Sequence, residues 1–216
     1  GIPIIKIKNV KPNKINLDGL SYASPELAES KKDYLIKPTD ILITMSGNRS
    51  DGSPESWVGK VSLFRLNGDY LLNQRVSMIR AKEEKVDRAF LAYNLSSWDT
   101  QVNLINKANS SGGQANISPE IVKNLEISLP SLIEQKAIAS VLSSLDDKID
   151  LLHRQNTTLE RMAETLFRQW FVEEARVEWE EGTLDDILSV KGGTTPSTSE
   201  PNYWNGKINW TSPRDI

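Results

Sequence analysis

The stretch "SSLDDKIDLLHRQNTTLERMAETLFRQWF", residues 143–171, is the longest uninterrupted helical pattern in the chain. Within it Ile149, Leu152, Asn156, Leu159, Leu166 and Trp170 follow spacings of three and four with one gap of seven. That rhythm is the seam of a coiled coil rather than the broad apolar face of a globular helix. Asn156 interrupts the seam, and a polar residue there costs stability while it selects register and partner. At about 1.5 Å per residue, the run from Asp146 to Phe171 predicts a rod of roughly 39 Å. His153, beside the seam, reads as a solvated helix residue rather than a ligand or base.

Two capping boxes precede this run. Ser131-Leu132-Ile133-Glu134 opens "IEQKAIASVL" and Ser144-Leu145-Asp146-Asp147 opens the long helix, so a short helix turning into a long one is expected. Upstream, period-two and β-branched patterns predict strands at 2–10, 33–37, 40–47, 57–66 and 70–81, with a last strand at 125–130. Asp87 caps a helix over "RAFLAYNLSSW", Ser118-Pro119-Glu120 starts another, and Thr183 caps the short turn "LDDIL". The fold class is therefore α+β: a strand-rich domain over 1–130, a helical spacer over 131–172, and the start of a further domain over 173–216. Setting "INWTSPRDI" (208–216) under "IPIIKIKNV" (2–10) pairs Ile208 with Ile2, Arg214 with Lys8, Asp215 with Asn9 and Ile216 with Val10. The chain then reads as one turn of a longer tandem repeat, cut inside a domain.

Composition narrows the functional classes. The 216 residues contain no cysteine and one histidine, which removes disulfide frameworks, thiolate metal sites and most histidine acid–base chemistry. No run approaches the roughly 18 apolar residues of a membrane span, and the opening lacks a secretory signal, so a cytoplasmic protein without membrane contact is expected. The net charge of -3 hides an asymmetry: residues 1–131 hold 17 Lys+Arg against 14 Asp+Glu, whereas 132–216 hold 9 against 15. The first part is free to present a basic face to phosphates.

The segment "LPSLIEQKAIASVLSSLDDKIDLLHRQNTTLERMAETLFRQWF" resembles the central region of the specificity subunit of type I restriction-modification systems. "TDILITMSG" (39–47), "LLNQRVSMIRA" (71–81), "SSGGQANIS" (110–118) and "KGGTTPSTSEPNYWNGKINW" resemble, in family order, parts of its target recognition domains. The resemblance implies a DNA-reading subunit with no catalytic residues and no metal. Residues 1–130 would be a recognition domain without its usual N-terminal segment, 131–172 the spacer that sets the distance between two half-sites, and 173–216 the start of a second recognition domain. An antiparallel homodimer would let that last segment complete the partner's domain. Double-stranded DNA and the modification and restriction subunits are the implied partners, with S-adenosylmethionine, ATP and Mg expected on those subunits and no cofactor in this chain.

Base edges in the major groove are read by Arg, Lys, Asn and Gln on loops and strand ends. The candidates are Asn48, Arg49, Gln74, Arg75, Ser111, Gln114 and Asn116. Phosphate candidates are Lys6, Lys8, Lys60 and Lys107, with the backbone amides of Gly192, Gly193 and Thr194. Met162, Phe167 and Phe171 form a candidate docking patch for a methyltransferase subunit, while Trp57, Trp98, Trp204 and Trp210 read as core or interface. Two rival classes remain: a methyltransferase or nuclease, for which the chain lacks an Asn-Pro-Pro-Tyr-like tetrapeptide and a Glu-x-Lys acid cluster, and a coiled-coil scaffold that binds only protein.

Overall fold

The computed structural model describes all residues except 50–52, 112–113, 176–178, 181, 205 and 213–216, together with the side chains of 54 and 111. The repeat pairings that use Arg214, Asp215 and Ile216 lie outside the described residues. The chain divides into two compact units, Gly1–Thr158 and Leu159–Ile216. Among the described residues no helix is long and apolar enough to cross a membrane.

The first unit begins with β1 (Ile2–Ile5), β2 (Val10–Lys11), β3 (Lys14–Ile15), β4 (Ser21–Ala23) and α1 (Pro25–Ser30). It continues through β5 (Ile41–Thr44), β6 (Ser46–Gly47), β7 (Val61–Leu63), β8 (Leu71–Leu72) and β9 (Val76–Ile79). Then come α2 (Arg88–Ser96), α3 (Trp98–Lys107), β10 (Asn109–Ser111), β11 (Gln114–Asn116), α4 (Pro119–Lys123) and α5 (Leu132–Arg168), which belongs to this unit as far as Thr158. Among the described residues three small sheets run β4-β1-β8, β7-β5-β9 and β10-β11-β6, with β2 and β3 paired as a hairpin.

β5 organises the core because both of its faces are buried. Successive side chains leave a strand on opposite faces. Ile41 and Ile43 accordingly pack with Val58, Val61, Leu91, Leu95, Leu104 and Ile117, while Leu42 packs with Ile5, Val10, Ile36, Phe64 and Val76. Asp40, fully buried just before β5, accepts hydrogen bonds from Arg80 Nε at 2.9 Å, Arg80 Nη2 at 3.3 Å and the Lys37 amide at 2.8 Å. A buried charge needs that much satisfaction to be tolerated. Gly47 is required by close approach: a Cβ there would stand 2.5 Å from the Val58 nitrogen and 2.6 Å from the Trp57 carbonyl carbon. The chain that carries Asn48 therefore runs directly against 57–58, with Asn48 donating its amide to the Ser56 carbonyl and accepting from the Val58 amide.

Several local expectations are corrected. The strand expected over 2–10 breaks after Ile5 into a 3-10 turn at Ile7–Asn9, because Asn9 turns its buried side chain back to the Lys6 amide and the Asn16 carbonyl. Residues 33–37 are not a strand: Lys32–Tyr34 is a 3-10 turn, and Leu35 makes only an isolated bridge to Leu71. Residues 70–81 split into β8 and β9 around a turn closed by the Val76 amide on the Asn73 carbonyl. Residues 125–130 form no strand, and α3, capped by Ser97, was not anticipated. The second capping box does not form either. α5 runs without interruption through 144, where Ser144 Oγ donates to the Val141 carbonyl at 2.7 Å instead of capping a new helix. Its 37 residues correspond to about 55 Å of helix.

In the second unit the last turn of the long helix opens into a π-helical segment, Gln169–Glu173, which includes Trp170. Thr183, expected to cap a short turn, forms a capping box with Asp186 on α6 (Leu184–Ile187).

Candidate nucleic-acid interface

The edge of the β10-β11-β6 sheet and the turn at 73–75 bring four polar side chains into one bonded array. β6 pairs with β11 in the register Gly47 to Ala115 and Ser46 to Asn116. The turn is attached from the other side, since the Met45 amide donates to the Arg75 carbonyl at 2.9 Å. Ser46 Oγ donates to Asn116 Oδ1 at 2.6 Å, and Arg75 Nη1 donates to Ser46 Oγ at 3.3 Å and to Gln114 Oε1 at 3.4 Å. Asn116 Nδ2 donates to the Gln114 carbonyl at 3.4 Å. Residues 44–49, 73–77 and 107–118 include Arg49, Arg75 and Lys107 and no acid. The nearest acid in sequence, Asp51, lies outside the described residues.

The expected base readers thus separate into groups. Arg75, Gln114 and Asn116 converge. Gln74 is exposed in the same turn, and Asn48 is exposed with Nδ2 on Ser56 Oγ at 3.2 Å. Arg49 instead donates to the carbonyls of Ile105 at 3.1 Å and Ala108 at 2.9 Å and to Ser110 Oγ at 2.8 Å. It neutralises the negative C-terminal end of α3 and ties the 47–49 loop to it. Ser111 ends β10, and its side chain lies outside the described residues. Sequence reading missed Ser46, which joins Arg75 to Asn116; its only signal was its place before Gly47.

The phosphate candidates are scattered. Lys8 and Lys107 are exposed, and Lys6 Nζ donates to Ser21 Oγ at 2.6 Å. Lys60 departs from the expectation of a phosphate contact: only 5% of it is exposed. Burial lowers its ammonium pKa, the Lys11 charge lowers it further, and Glu55 opposes. Gly192, Gly193 and Thr194 are exposed in the second unit, with nothing near either glycine and no helix start at that point. Trp57 is core, and Trp98 lies against it at 5.2 Å with 65% of its own surface exposed. Trp204 and Trp210 meet edge to face at 5.8 Å.

The first turns of α5 are fastened to the strand-rich part of the same unit. Gln135, 1% exposed, accepts from the Asp87 amide at 2.8 Å and donates to the Pro130 carbonyl at 2.8 Å. Asp87 in turn caps α2 through the Phe90 amide. Tyr93 donates to Asp146 Oδ2 at 2.7 Å, and Arg65 pairs with Asp147 at 3.6 Å. Burial pushes the Tyr93 phenol above its usual range, so it remains a donor. A cavity of about 460 Å³ beside this contact is lined by Asn13, Lys14, Arg65, Asp146, Ile149 and His153, among others. From Lys148 to Arg168 every residue of α5 is exposed, including the seam residues Ile149, Leu152, Asn156, Leu159 and Leu166. Met162 is also exposed, and in the second unit Phe167 and Phe171 stack at 5.0 Å with Trp179 at 5.9 Å from Phe171.

Among the described residues no group of three or more His, Asp or Glu side chains is placed to hold a metal. The chain is 28% identical over 162 residues to the type I restriction enzyme MjaVIII specificity subunit of Methanocaldococcus jannaschii, covering 74% of this chain and 37% of that one. It is 28% identical over 150 residues to the EcoBI specificity subunit of Escherichia coli, covering 69% and 27%. The chain therefore spans well under half the length of these curated relatives. A crystal structure of the HsdS subunit from Thermoanaerobacter tengcongensis superposes with a TM-score of 0.49 at 17% identity, over 80% of this chain and 42% of that one. The family model described as the type I restriction modification DNA specificity domain matches residues 1–161, and the chain belongs to that family.

Proposed function

We propose that this chain reads one half of an interrupted DNA site through the face formed by β6, β11 and the 73–75 turn, and that α5 holds the reader at a fixed distance from a second one. The observation that carries the reading is the acid-free array of Ser46, Arg75, Gln114 and Asn116 on a domain of a DNA specificity family. Arg, Gln and Asn are the side chains that pair with base edges in the major groove. Exposed Gln74 and Asn48 flank the array as further readers, and Lys8 and Lys107 supply phosphate contacts, which position the protein without reading sequence. The chain is not itself the enzyme: methyl transfer and cleavage, with their S-adenosylmethionine, ATP and Mg, belong to modification and restriction subunits.

Two readers must meet the groove on the same face of the duplex, about one helical turn or 34–36 Å apart. Beyond the contacts at Asp146 and Asp147, the exposed stretch of α5 is about 20 residues, or roughly 30 Å. Its apolar seam fits a second helix packed antiparallel, and a second copy of this chain is the proposed source. Methylome sequencing of cells that express the chain with its modification subunits tests both points: a symmetric interrupted site is expected, an asymmetric site rejects self-pairing, and the absence of any specific methylation rejects the reading of DNA.

A further inference from the structure

The hydrogen bonds inside the array decide which polar atoms are left to face a base. Ser46 gives its one hydroxyl proton to Asn116 Oδ1, so it meets Arg75 as an acceptor. With its oxygen taken by Ser46, the Asn116 amide turns its nitrogen to the Gln114 backbone carbonyl and has one N–H over. Gln114 Oε1 accepts from Arg75 Nη1 on one of its two lone pairs, and Nε2 keeps two N–H donors. Arg75 keeps Nε and Nη2, neither of which has a partner among the described residues. Both Arg75 and Gln114 are exposed.

We infer that Arg75 and Gln114 present neighbouring donors, Arg75 Nε and Nη2 and Gln114 Nε2, that read a guanine. Guanine alone offers two neighbouring acceptors, N7 and O6, in the major groove; adenine offers one acceptor and one donor, cytosine a donor, and thymine one acceptor beside a methyl group. A glutamine that reads adenine accepts from the adenine amino group through its own oxygen; in Gln114 one lone pair of that oxygen is engaged by Arg75 at 3.4 Å, which also sets a guanidinium beside it and disfavours a second donor there. This inference rests on the proposal that the face reads DNA and adds the identity of one base. It also makes Ser46 and Asn116 positioning residues, which orient the readers without touching the base.

The test is sequencing of methylated products from a random duplex pool, using the complete modification complex with the chain as wild type, Arg75→Ala, Gln114→Glu and Ser46→Ala. In the wild type one position of the half-site is guanine, preferred roughly 5- to 150-fold over other bases. Arg75→Ala abolishes the preference at that position alone. Gln114→Glu keeps an oxygen for Arg75 and replaces the free amide by a second oxygen, so the same position moves toward cytosine or adenine, whose amino groups donate. Ser46→Ala weakens the guanine preference without replacing it by another base. Because Arg75 and Gln114 are exposed, thermal unfolding of their variants should match the wild type, which separates readout from folding. An unchanged guanine in both reader variants, or a change at a position occupied by adenine or cytosine, overturns this inference while leaving DNA reading intact. A wild-type complex that selects no sequence overturns both.

Discussion

Between Leu132 and Asp147, α5 buries Gln135 and Ala139 and exchanges hydrogen bonds and an ion pair with residues 65, 87, 93 and 130. From Lys148 to Arg168 no residue is buried, and the hydroxyls of Thr157, Thr158 and Thr165 bond back to the helix's own carbonyls. The residue types differ less than the surroundings do: Ile149, Leu152, Leu159 and Leu166 are as apolar as anything in the first stretch. An isolated helix is marginal in water, and most helical stability comes from packing of its apolar face. The first stretch finds that packing within its own domain. The second presents an exposed apolar seam; in the proposed reading another helix covers it, the first stretch setting the angle of the reader and the second its distance.

The sharpest way to break this comparison is to change the length of the second stretch alone. Inserting seven residues between Ile149 and Leu166 preserves the seam and adds roughly 10 Å, about three base pairs. The gap in the methylated site should lengthen by about that amount, or methylation should cease; an unaltered site rules out a spacing role. The next largest effect concerns the seam itself. Leu159→Asp combined with Leu166→Asp places charges where an apolar contact is proposed, and association measured by light scattering should weaken at least tenfold, about 1.4 kcal/mol. The thermal unfolding of the strand-rich domain should not change. Equal association in this variant means the seam is not the contact.

How legible each stretch was in the sequence follows from where its partners lie. Caps at Asp87, Ser118, Ser131 and Thr183 could be read because hydroxyl or carboxylate and amide are three residues apart. The box at Ser144 obeyed the same pattern and lost, because an amide already inside a continuous helix has a carbonyl partner and needs no cap. The strands of two or three residues were misjudged in length, since their ends are set by side chains such as Asn9 that turn the chain through bonds to distant backbone. At the candidate interface Arg49 and Arg75 look alike in sequence. Their fates diverge through partners 56 and 59 residues away for Arg49 and 29 and 39 for Arg75, which no local pattern encodes. The apolar rhythm of Ile149, Leu152, Leu159 and Leu166 was legible because heptad spacing is local, and the helix that would cover it belongs to the proposal.

A moderate effect is expected within the first stretch. Gln135→Leu keeps the volume but removes both hydrogen bonds and leaves the half-buried Asp87 amide without its acceptor. The cost of such a loss is about 1–2 kcal/mol. Urea unfolding of the domain should show it, and association through the seam should be unchanged. A loss below about 0.5 kcal/mol would mean that water replaces Gln135 and that the attachment of α5 rests on Ala139 and its neighbours instead.

The smallest effect is a pH dependence carried by Tyr93. Its phenol is raised from the ordinary 10.0, chiefly by burial, and the bond to Asp146 raises it further while Ser143 and Arg65 act the other way. The protonated phenol is the donor to Asp146, so its contribution to stability is complete below the unfolded value near 10 and is lost as pH rises through the folded value. Tyr93→Phe removes the donor at every pH and should cost about 1 kcal/mol near neutrality. Above pH 10 the wild type should lose stability faster than the variant, and the two unfolding curves should converge. Parallel curves across that window would show that Tyr93 makes no bond to α5 that depends on its proton, and Arg65–Asp147 would then be the polar contact that orients this part of the spacer.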